Sequence, residues 1–381
     1  MSNPDSINLF LCGDVMTGRG IDQILPHPGA AILHEDHVKN AADYVRLAER
    51  RNGAIPRSVD FAYIWGDALA QLARVKPQFR LINLETSITT SDDWQPKGIN
   101  YRMHPANAPV LAAARIDVCV LANNHILDWG RQGLTDSLRT LNNQGIRSAG
   151  AGANLEEAQA PAICQHGAGR LLVFSMATGS SGVPAEWAAG PGRAGVALLP
   201  ELSTGTVHRM RELIQGWKRP RDLVIASIHW GGNWGYPVPE AHTEFAHGLL
   251  EAGVDLVHGH SSHHILRMEV YGGKLIIYGC GDFINDYEGI GGHERYRGDL
   301  PVMVFPRLSL DTGRLLSLRL VPLRLQRFRL GNAAPEDAAW LQQLLNREGK
   351  KTGTHFDLSA DHSLTLRIPA GGSVLRVSPT G

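Results

Sequence analysis

The chain has 381 residues, of which 37 are Lys or Arg and 37 are Asp or Glu, so its formal net charge at pH 7 is zero. A chain of this length buries a sizeable core without disulfides, and balanced charge with no dense basic run argues against a nucleic-acid partner. The start lacks the apolar stretch of a signal peptide and no later segment approaches ~20 uninterrupted apolar residues, so we expect a cytoplasmic protein with no membrane segment.

Six short apolar runs, rich in β-branched or bulky residues, predict strands that are covered on both faces. Each run ends abruptly in polar residues that are able to do chemistry. In chain order, the runs occupy residues 7–14, 79–85, 117–125, 223–232, 255–260 and 274–283.

Helical patterns separate these runs. Residues 63–75 precede the second run, 134–145 follow the third, and 239–253 join the fourth to the fifth. The alternation of strand and helix predicts an α/β fold with a mostly parallel sheet and helices packed outside it. Ligands in open α/β sheets bind beyond the carboxyl ends of the strands, so we expect the polar residues at these strand ends to meet at one edge.

The remaining segments are less regular. Residues 26–60 predict a helical insertion beside that edge, and residues 300–330 alternate like paired antiparallel strands around a turn at 311–313. One helix over 335–351 then leads to a last strand pair that contains 364–369. Since no repeat or linker interrupts the pattern, we expect a single domain over residues 1–381.

Six polar residues at successive strand ends form a candidate metal site. Carboxylate oxygen, amide oxygen and imidazole nitrogen together suit Mn, Fe, Co or Zn, and this set is large enough for two divalent ions bridged by a carboxylate. The candidate ligands are Asp14, Glu85, Asn124, His229, His260 and His263. His125 follows a ligand and is therefore offset from the metals, where it would protonate a leaving group.

The run VHGHSSHH at 257–264 holds four histidines. A lone histidine is more often a hydrogen-bonded structural residue than a ligand, but six candidate ligands at successive strand ends favour a metal site. His260 and His263 are the expected ligands of this cluster. His258 follows an apolar run and can instead point into the core, and His264 can pack against the next strand.

Six motifs in this order closely resemble the bacterial CapA family of poly-gamma-glutamate capsule biosynthesis proteins, which has a calcineurin-like metallophosphoesterase fold. The motifs are CGDVMTGRG, INLETSIT, ANNHILDWG, SIHWGGNW, VHGHSSHH and YGCGDFINDYEG, and the likeness covers about residues 7 to 305. The resemblance implies a four-layer αββα sandwich of two mixed sheets with a dinuclear site at one edge. The C-terminal strands of about 300–381 would complete its second sheet.

Three positions depart from the usual metallophosphoesterase pattern. Met16 stands where that pattern has a histidine, Glu85 where it commonly has an aspartate, and His263 lies one position later than its closing histidine. The CapA likeness accommodates all three.

Other residues are candidates for binding or orienting groups. Asp128 can pair with His125 and fix its tautomer, or it can cap the turn before Gly130. Arg102 can hold a carboxylate or phosphate, or form a structural salt bridge. The hydroxyls of Ser180 and Ser181 suit an anionic group, and Trp230 can form an aromatic wall beside His229.

Three functions remain open at this point. The leading hypothesis is a metal-dependent hydrolase of the phosphoesterase type, linked by resemblance to capsule synthesis and acting on a small anionic or gamma-glutamyl substrate. The first alternative is a metal-dependent amidase or peptidase that cleaves gamma-glutamyl bonds. The second is a non-enzymatic accessory factor in polymer assembly or export, which the methionine at Met16 favours.

Overall fold

Apolar runs of the sequence form two large mixed β-sheets in the computed structural model, which describes residues 5–167 and 169–368. The strands are β1 Ser6–Val15, β2 Phe79–Leu84, β3 Ser87–Ile88, β4 Arg102–Met103, β5 Val118–Val120, β6 Arg147–Ala149, β7 Ala151–Gly152, β8 Ala162–His166, β9 Gly169–Thr178, β10 Gly195–Val196, β11 Leu198–Leu199, β12 Leu223–His229, β13 Leu256–His260, β14 Met268–Tyr271, β15 Lys274–Ile277, β16 Asp282–Ile284, β17 Val302–Ser309, β18 Leu315–Gln326, β19 Arg329–Asn332, β20 Phe356–Leu358 and β21 Leu364–Leu366. The helices are α1 Arg19–Ile24, α2 Ala42–Asn52, α3 Ala68–Val75, α4 Pro109–Ala113, α5 Gly130–Asn143, α6 Leu155–Gln159, α7 Thr204–Trp217, α8 Glu240–Glu251 and α9 Pro335–Glu348.

The first sheet has ten strands in the described part of the chain. Its main path runs β20-β21-β18-β17-β1-β2-β5-β6, with β16 paired to β1 and β19 to β18. The pairs from β1 through β2 and β5 to β6 are parallel, whereas β17 runs antiparallel to β1. The predicted antiparallel strands of 300–330 are therefore confirmed as β17 and β18. They extend the sheet that holds β1, and residues 369–381 of the C-terminal strands that were expected to complete the second sheet lie outside the described residues.

The second sheet has seven strands in the described ranges, in the order β11-β9-β12-β13-β15-β14, with β8 paired to β9. Strands β9, β12, β13 and β15 are parallel neighbours, and β14 is antiparallel to β15. The predicted α/β class is therefore confirmed, but the strands divide between two large mixed sheets, where the alternation of strand and helix alone favoured a mostly parallel sheet. Local pattern identifies the strands correctly, but which strands become neighbours depends on contacts that are distant in sequence.

One hydrophobic cluster joins the two sheets. It combines Leu9 and Leu81 of the first sheet with Val173 and Ile225 of the second, all of them buried. Two further clusters lie on the other faces, and in one of them α8 packs through Phe245 and Leu249. Every residue of β12 is buried, so its sequence does not alternate between apolar and polar residues, and Ser227 and His229 are its only polar members.

Four predicted helices are confirmed with small shifts in their ends. The expected segments 63–75, 134–145, 239–253 and 335–351 correspond to α3 with a preceding short turn of helix, α5, α8 and α9. The helix expected within 26–60 is α2. Within the described ranges, no helix has both the length and the apolar character needed to cross a bilayer.

Candidate metal centre

The carboxyl ends of strands from both sheets meet at one place. Asp14 lies near the end of β1, and Glu85 and Asn124 follow β2 and β5 in the first sheet. His229 and His260 are the last residues of β12 and β13 in the second sheet, where they are register partners. The convergence expected from strand polarity therefore occurs, but across two sheets.

Three of the predicted ligands form a compact group. Asp14, His229 and His260 each offer one ligand atom, and these atoms all lie within 4.8 Å of one another. The two imidazoles approach each other through their Nδ1 atoms at 2.8 Å, and His260 Nδ1 lies 3.8 Å from Asp14 Oδ1. All three residues are buried.

Glu85 and Asn124 lie beside His229. The Oδ1 atom of Asn124 is 3.0 Å from His229 Nε2, and Oε1 of Glu85 is 3.7 Å from the same nitrogen. These two residues place a carboxylate and an amide oxygen beside the group, and their role as ligands remains a prediction.

Two carboxylate oxygens in this place have no partner. Within the described residues, Asp14 Oδ2 and Glu85 Oε2 are buried and have no hydrogen-bond partner, although Asn83 Nδ2 donates to the other oxygen of Asp14 at 2.7 Å. Burial, with the nearby Asp282 carboxylate as the second cause, raises the pKa of Asp14 to about 7. The backbone amide of Ser261 also acts on the Asp14 carboxylate and opposes the rise of its pKa. Burial and the Asp14 charge raise the pKa of Glu85 well above its usual value. Unpaired carboxylates of this kind need either protons or a cation.

The histidines of the group are neutral at physiological pH. Burial lowers the pKa values of His229 and His260 well below the ordinary histidine value. A neutral imidazole keeps one nitrogen lone pair for a metal. Buried unpaired carboxylate oxygens beside neutral imidazole nitrogens are a donor set that fits a divalent cation of the Mn, Fe, Co or Zn type.

Glycine at 259 allows this geometry. A Cβ atom there would lie 2.4 Å from the carbonyl oxygen of Tyr278, so only glycine fits between His258 and His260 on β13. The next residue after His260, Ser261, has φ +100, an unusual value for a residue other than glycine. The backbone is thus strained where the chain leaves β13 at the site.

His125 lies on the Glu85 side of the group, with Nε2 4.0 Å from Glu85 Oε1. Its Nδ1 atom is 2.6 Å from Oδ2 of the fully buried Asp128, and Lys97 Nζ donates to the other oxygen of Asp128 at 2.8 Å. Burial lowers the pKa of His125 to about 4, against the opposing effect of Asp128. The neutral ring therefore carries its proton on Nδ1 toward Asp128 and presents Nε2 toward the site.

His263 stands apart from the compact group. Its Nδ1 atom contacts both oxygens of Asp282, at 2.9 and 3.1 Å. Burial lowers the pKa of His263, but the Asp282 carboxylate outweighs this effect and the pKa is raised. Its role as a ligand remains a prediction, and Asp282, which pairs in register with Asp14, belongs to its surroundings.

The predicted substrate-binding residues are dispersed. The guanidinium of Arg102 donates to Ser91 O and Asp92 Oδ1 and lies 3.7 Å from the Trp129 ring centroid, so its partners are those of a structural ion pair. The Ser181 hydroxyl donates to the carbonyl of His229 at 2.9 Å, whereas Ser180 is exposed and accepts from the Gly231 amide.

Trp230 requires a correction. Only 2% of it is exposed, its Nε1 donates to the carbonyl of Tyr278 at 2.9 Å, and its ring stacks on His242. The side chain belongs to the core beneath α8, so it cannot form the aromatic wall that its sequence neighbourhood indicated. Successive residues of an extended chain point to opposite sides, so His229 points to the candidate metal group and Trp230, next to it, points to the core beneath α8.

Two tyrosines beside the site were not predicted from the sequence. Tyr101 stacks on His125 with ring centroids 3.8 Å apart, and its hydroxyl lies 2.6 Å from that of Tyr287. Tyr287 in turn meets His263 edge-on. Both tyrosines lie within or near motifs of the chain, but nothing in their spacing indicates that they pair.

A cavity of about 310 Å³ lies next to the His125 side of the site. Trp187, Gln95 and Arg131 are among its lining residues. The ammonium of Lys97, which lies 3.3 Å from His125 Nδ1, is 5.1 Å from the Trp187 ring centroid. Lys97 therefore contacts both His125 and Trp187, one of the residues that line the cavity.

Comparisons with known proteins point to one family. The sequence model described as "Bacterial capsule synthesis protein PGA_cap" matches residues 8–287. A protein of Mycobacterium tuberculosis named "Probable polyglutamine synthesis accessory protein" is 47% identical over 371 residues, which cover 97% of each chain. The "PGA biosynthesis protein CapA" of Bacillus subtilis is 24% identical over 74% of this chain and 64% of its own. The "Capsule biosynthesis protein CapA" of Bacillus anthracis is 21% identical over 74% of this chain and 60% of its own.

Proposed function

This chain belongs to the PGA_cap family of bacterial capsule synthesis proteins, and from that membership we propose that it is a metal-dependent hydrolase of the phosphoesterase type that supports synthesis of a glutamate polymer. The single observation that carries the proposal is the pair of buried, unpartnered oxygens, Asp14 Oδ2 and Glu85 Oε2, beside the neutral imidazoles of His229 and His260. A protein that only binds other proteins has no need to bury unpaired carboxylates at such a cost.

We propose a four-layer αββα sandwich for the arrangement of the chain. The core shared by the two sheets and the apolar clusters on their other faces support this arrangement. The proposal treats residues 1–381 as a single domain, and the expected cytoplasmic location remains a prediction.

Asp14, Glu85, Asn124, His229 and His260 would hold the metal in this proposal, and His263 would complete a second position. When bound, a divalent cation supplies Lewis acidity at the bond to be cleaved. The site then favours an anionic substrate group, because the cations and Lys97 gather positive charge around it.

His125 is the proposed proton donor. Asp128 holds its Nδ1–H, which leaves Nε2 to exchange a proton with the leaving group. The pKa of about 4 keeps His125 neutral in the empty site, and the negative charge of a bound phosphoryl or carboxyl group raises that pKa toward the working range. Lys97 donates to the Asn124 carbonyl and to Asp128, so it ties the metal side to the proton-transfer side.

Elemental analysis of the protein, purified without added metal, tests the proposal first. We expect about one to two equivalents of a transition metal in the native chain and a marked loss in the Glu85→Gln variant, whereas a variant at the exposed His208 should keep the native content. The assay that follows compares generic phosphate monoesters and diesters with and without a chelator. A chain that retains no metal from solutions of Mn²⁺, Fe²⁺, Co²⁺ or Zn²⁺ would contradict the proposal.

The bond that is cleaved separates the leading hypothesis from the first alternative. A metal-dependent amidase would act on gamma-glutamyl amides and leave the phosphate esters intact. Parallel assays with a gamma-glutamyl anilide and a phosphate ester distinguish these two reaction classes. Whichever substrate is cleaved, a chelator that removes the metal should stop its turnover.

A non-enzymatic accessory role is the second candidate function. The name of the Mycobacterium tuberculosis relative contains the words accessory protein, and Met16 stands where a further histidine ligand would be expected. The side chain of Met16 is buried, with its sulfur 3.2 Å from the Gly18 amide. This role predicts less than one equivalent of metal and no turnover of either substrate class.

A further inference from the structure

His258 is the member of the histidine cluster that the candidate centre leaves without a role. It lies on β13 and is completely buried. Its Nε2 atom is 2.9 Å from the carbonyl oxygen of Cys12 on β1, and its Nδ1 atom is 2.9 Å from Ser227 Oγ on β12. Ser227 Oγ is also 3.0 Å from Nε2 of His260. A chain of three hydrogen bonds therefore runs from the backbone of one sheet to a candidate ligand on the other.

The carbonyl at the end of this chain decides the direction of every bond in it. A carbonyl oxygen only accepts, so His258 donates from Nε2. His258 is fully buried, and its ring contacts only this carbonyl and the Ser227 hydroxyl among the described hydrogen-bond partners, with no carboxylate to hold a charge, so the ring is neutral and its Nδ1 carries a lone pair. Ser227 must give its single hydroxyl hydrogen to that lone pair. The oxygen of Ser227 then accepts the third bond, and His260 donates from Nε2.

The consequence appears at the other nitrogen of His260. A neutral ring with its proton on Nε2 leaves Nδ1 bare, and Nδ1 is the atom that lies 3.8 Å from Asp14 Oδ1 and 2.8 Å from His229 Nδ1. His229 therefore donates from Nδ1, and its bare Nε2 faces the acceptor oxygens of Asn124 and Glu85, at 3.0 and 3.7 Å, with no proton between them. Three acceptor atoms that face one another in this way are favourable only around a cation.

We propose that Ser227 and His258 are positioning residues that fix the tautomer of His260, so that this histidine presents Nδ1 to a divalent cation and cannot present Nε2. We call the three hydrogen bonds from Cys12 to His260 the relay. Its role in metal binding rests on the proposed metal centre, but the tautomer it fixes does not depend on a bound metal. Histidine ligands commonly depend on a hydrogen bond to the ring nitrogen that faces away from the metal, and here a hydroxyl and a second histidine supply it.

NMR of the metal-free chain with ¹⁵N-labelled histidine tests the tautomer directly. His260→Asn identifies the His260 signals in the presence of a chelator. We expect the wild-type His260 ring to be protonated on Nε2 and bare on Nδ1. Ser227→Ala should yield a mixed or reversed tautomer, and Ser227→Thr, which keeps a hydroxyl, should restore the original one. His258 should stay protonated on Nε2 in all three proteins, because Cys12 still accepts its hydrogen.

Ser175 offers a matched control. It is the register partner of Ser227 on β9, and its hydroxyl is buried without a hydrogen-bond partner. Calorimetric titration with Zn²⁺ should show that Ser227→Ala weakens binding by about 10- to 100-fold, whereas Ser175→Ala leaves the affinity unchanged. If Ser227→Ala fails to fold, His258→Leu removes the same link from its other side.

The outcomes separate this inference from the proposed function. A chain that binds no cation but keeps the predicted His260 tautomer would end the hydrolase proposal and leave the relay standing. The relay is refuted if the wild-type ring carries its proton on Nδ1, if Ser227→Ala leaves the tautomer unchanged, or if Ser175→Ala weakens Zn²⁺ binding as much as Ser227→Ala does.

Discussion

Replacing Asp14 by asparagine should stabilise the metal-free chain while abolishing its stabilisation by metal. The pKa of Asp14 is about 7 in the folded chain, against 3.8 as its ordinary value. A carboxyl whose folded pKa is raised favours folding only while it is protonated, so this contribution is present below pH 4 and is lost as the pH rises through 7. At 1.36 kcal/mol per pKa unit, this shift costs the metal-free chain about 4 kcal/mol at pH 8, where the buried group is ionised, and about 2 kcal/mol at pH 5, where folding must protonate a group that is ionised in the unfolded chain.

Asparagine is isosteric and can still accept the hydrogen bond from Asn83, but it never ionises. Urea unfolding with a chelator should therefore give Asp14→Asn a higher free energy of unfolding than wild type, by about 4 kcal/mol at pH 8 and by about half as much at pH 5. In Zn²⁺ at well over 1,000 times its Kd the order should reverse, because binding then adds more than about 4.1 kcal/mol to the wild type alone. Asp36→Asn, at an exposed position, is the control and should follow wild type throughout.

Two results would refute this reasoning. If Asp14→Asn is less stable than wild type at pH 8 in chelator, the carboxylate is paired in a way that the structure does not have. If the difference between the two proteins is the same at pH 5 and pH 8, the pKa of Asp14 is not raised.

Three further predictions follow from the contacts of the site. Zn²⁺ affinity should fall by up to about tenfold for each pH unit below 7, because the proton on Asp14 must leave before the cation binds, and calorimetry between pH 8 and pH 6 measures this slope. Asp128→Asn should lower turnover of any accepted ester by about 10²- to 10⁴-fold, because it disturbs the position of the proton on His125. It should leave the metal content unchanged, because it alters none of the proposed ligands, and a loss of metal in this variant would contradict the assignment. Trp230→Ala should lower the free energy of unfolding by about 3–5 kcal/mol without changing metal stoichiometry. Trp217→Ala, at a position that is 37% exposed, should have little effect. If Trp230→Ala lowers the substrate affinity and leaves the stability normal, Trp230 binds substrate after all.

The strands were predictable because their signal is local. The first four residues of β12, Leu223 to Ala226, form a continuous apolar run with no polar face, so this part of the strand must be covered on both sides wherever it lies in the fold. The polar residue that ends such a run, for example His229 or His260, then lies at the carboxyl edge by strand polarity alone. This reasoning located five of the candidate ligands without any knowledge of which strands are neighbours.

The same local signal does not predict the direction in which a side chain points. Trp230 follows His229 directly, yet it points into the core, because the pleat sends adjacent residues to opposite faces. Arg102 lies near the site in the sequence pattern, but a neighbouring carboxylate and an aromatic ring hold its guanidinium.

The sequence by itself determined which side chains end the strands, and their types determined that the site suits a divalent cation. Only the tertiary structure decided that two sheets supply these ends, that Asp14 and Glu85 keep unpaired oxygens, and that His258 contacts a backbone carbonyl of the opposite sheet. The physical reason is that hydrophobic patterning acts over neighbouring residues, whereas desolvation, hydrogen-bond partners and tautomers depend on atoms that are brought together from distant parts of the chain.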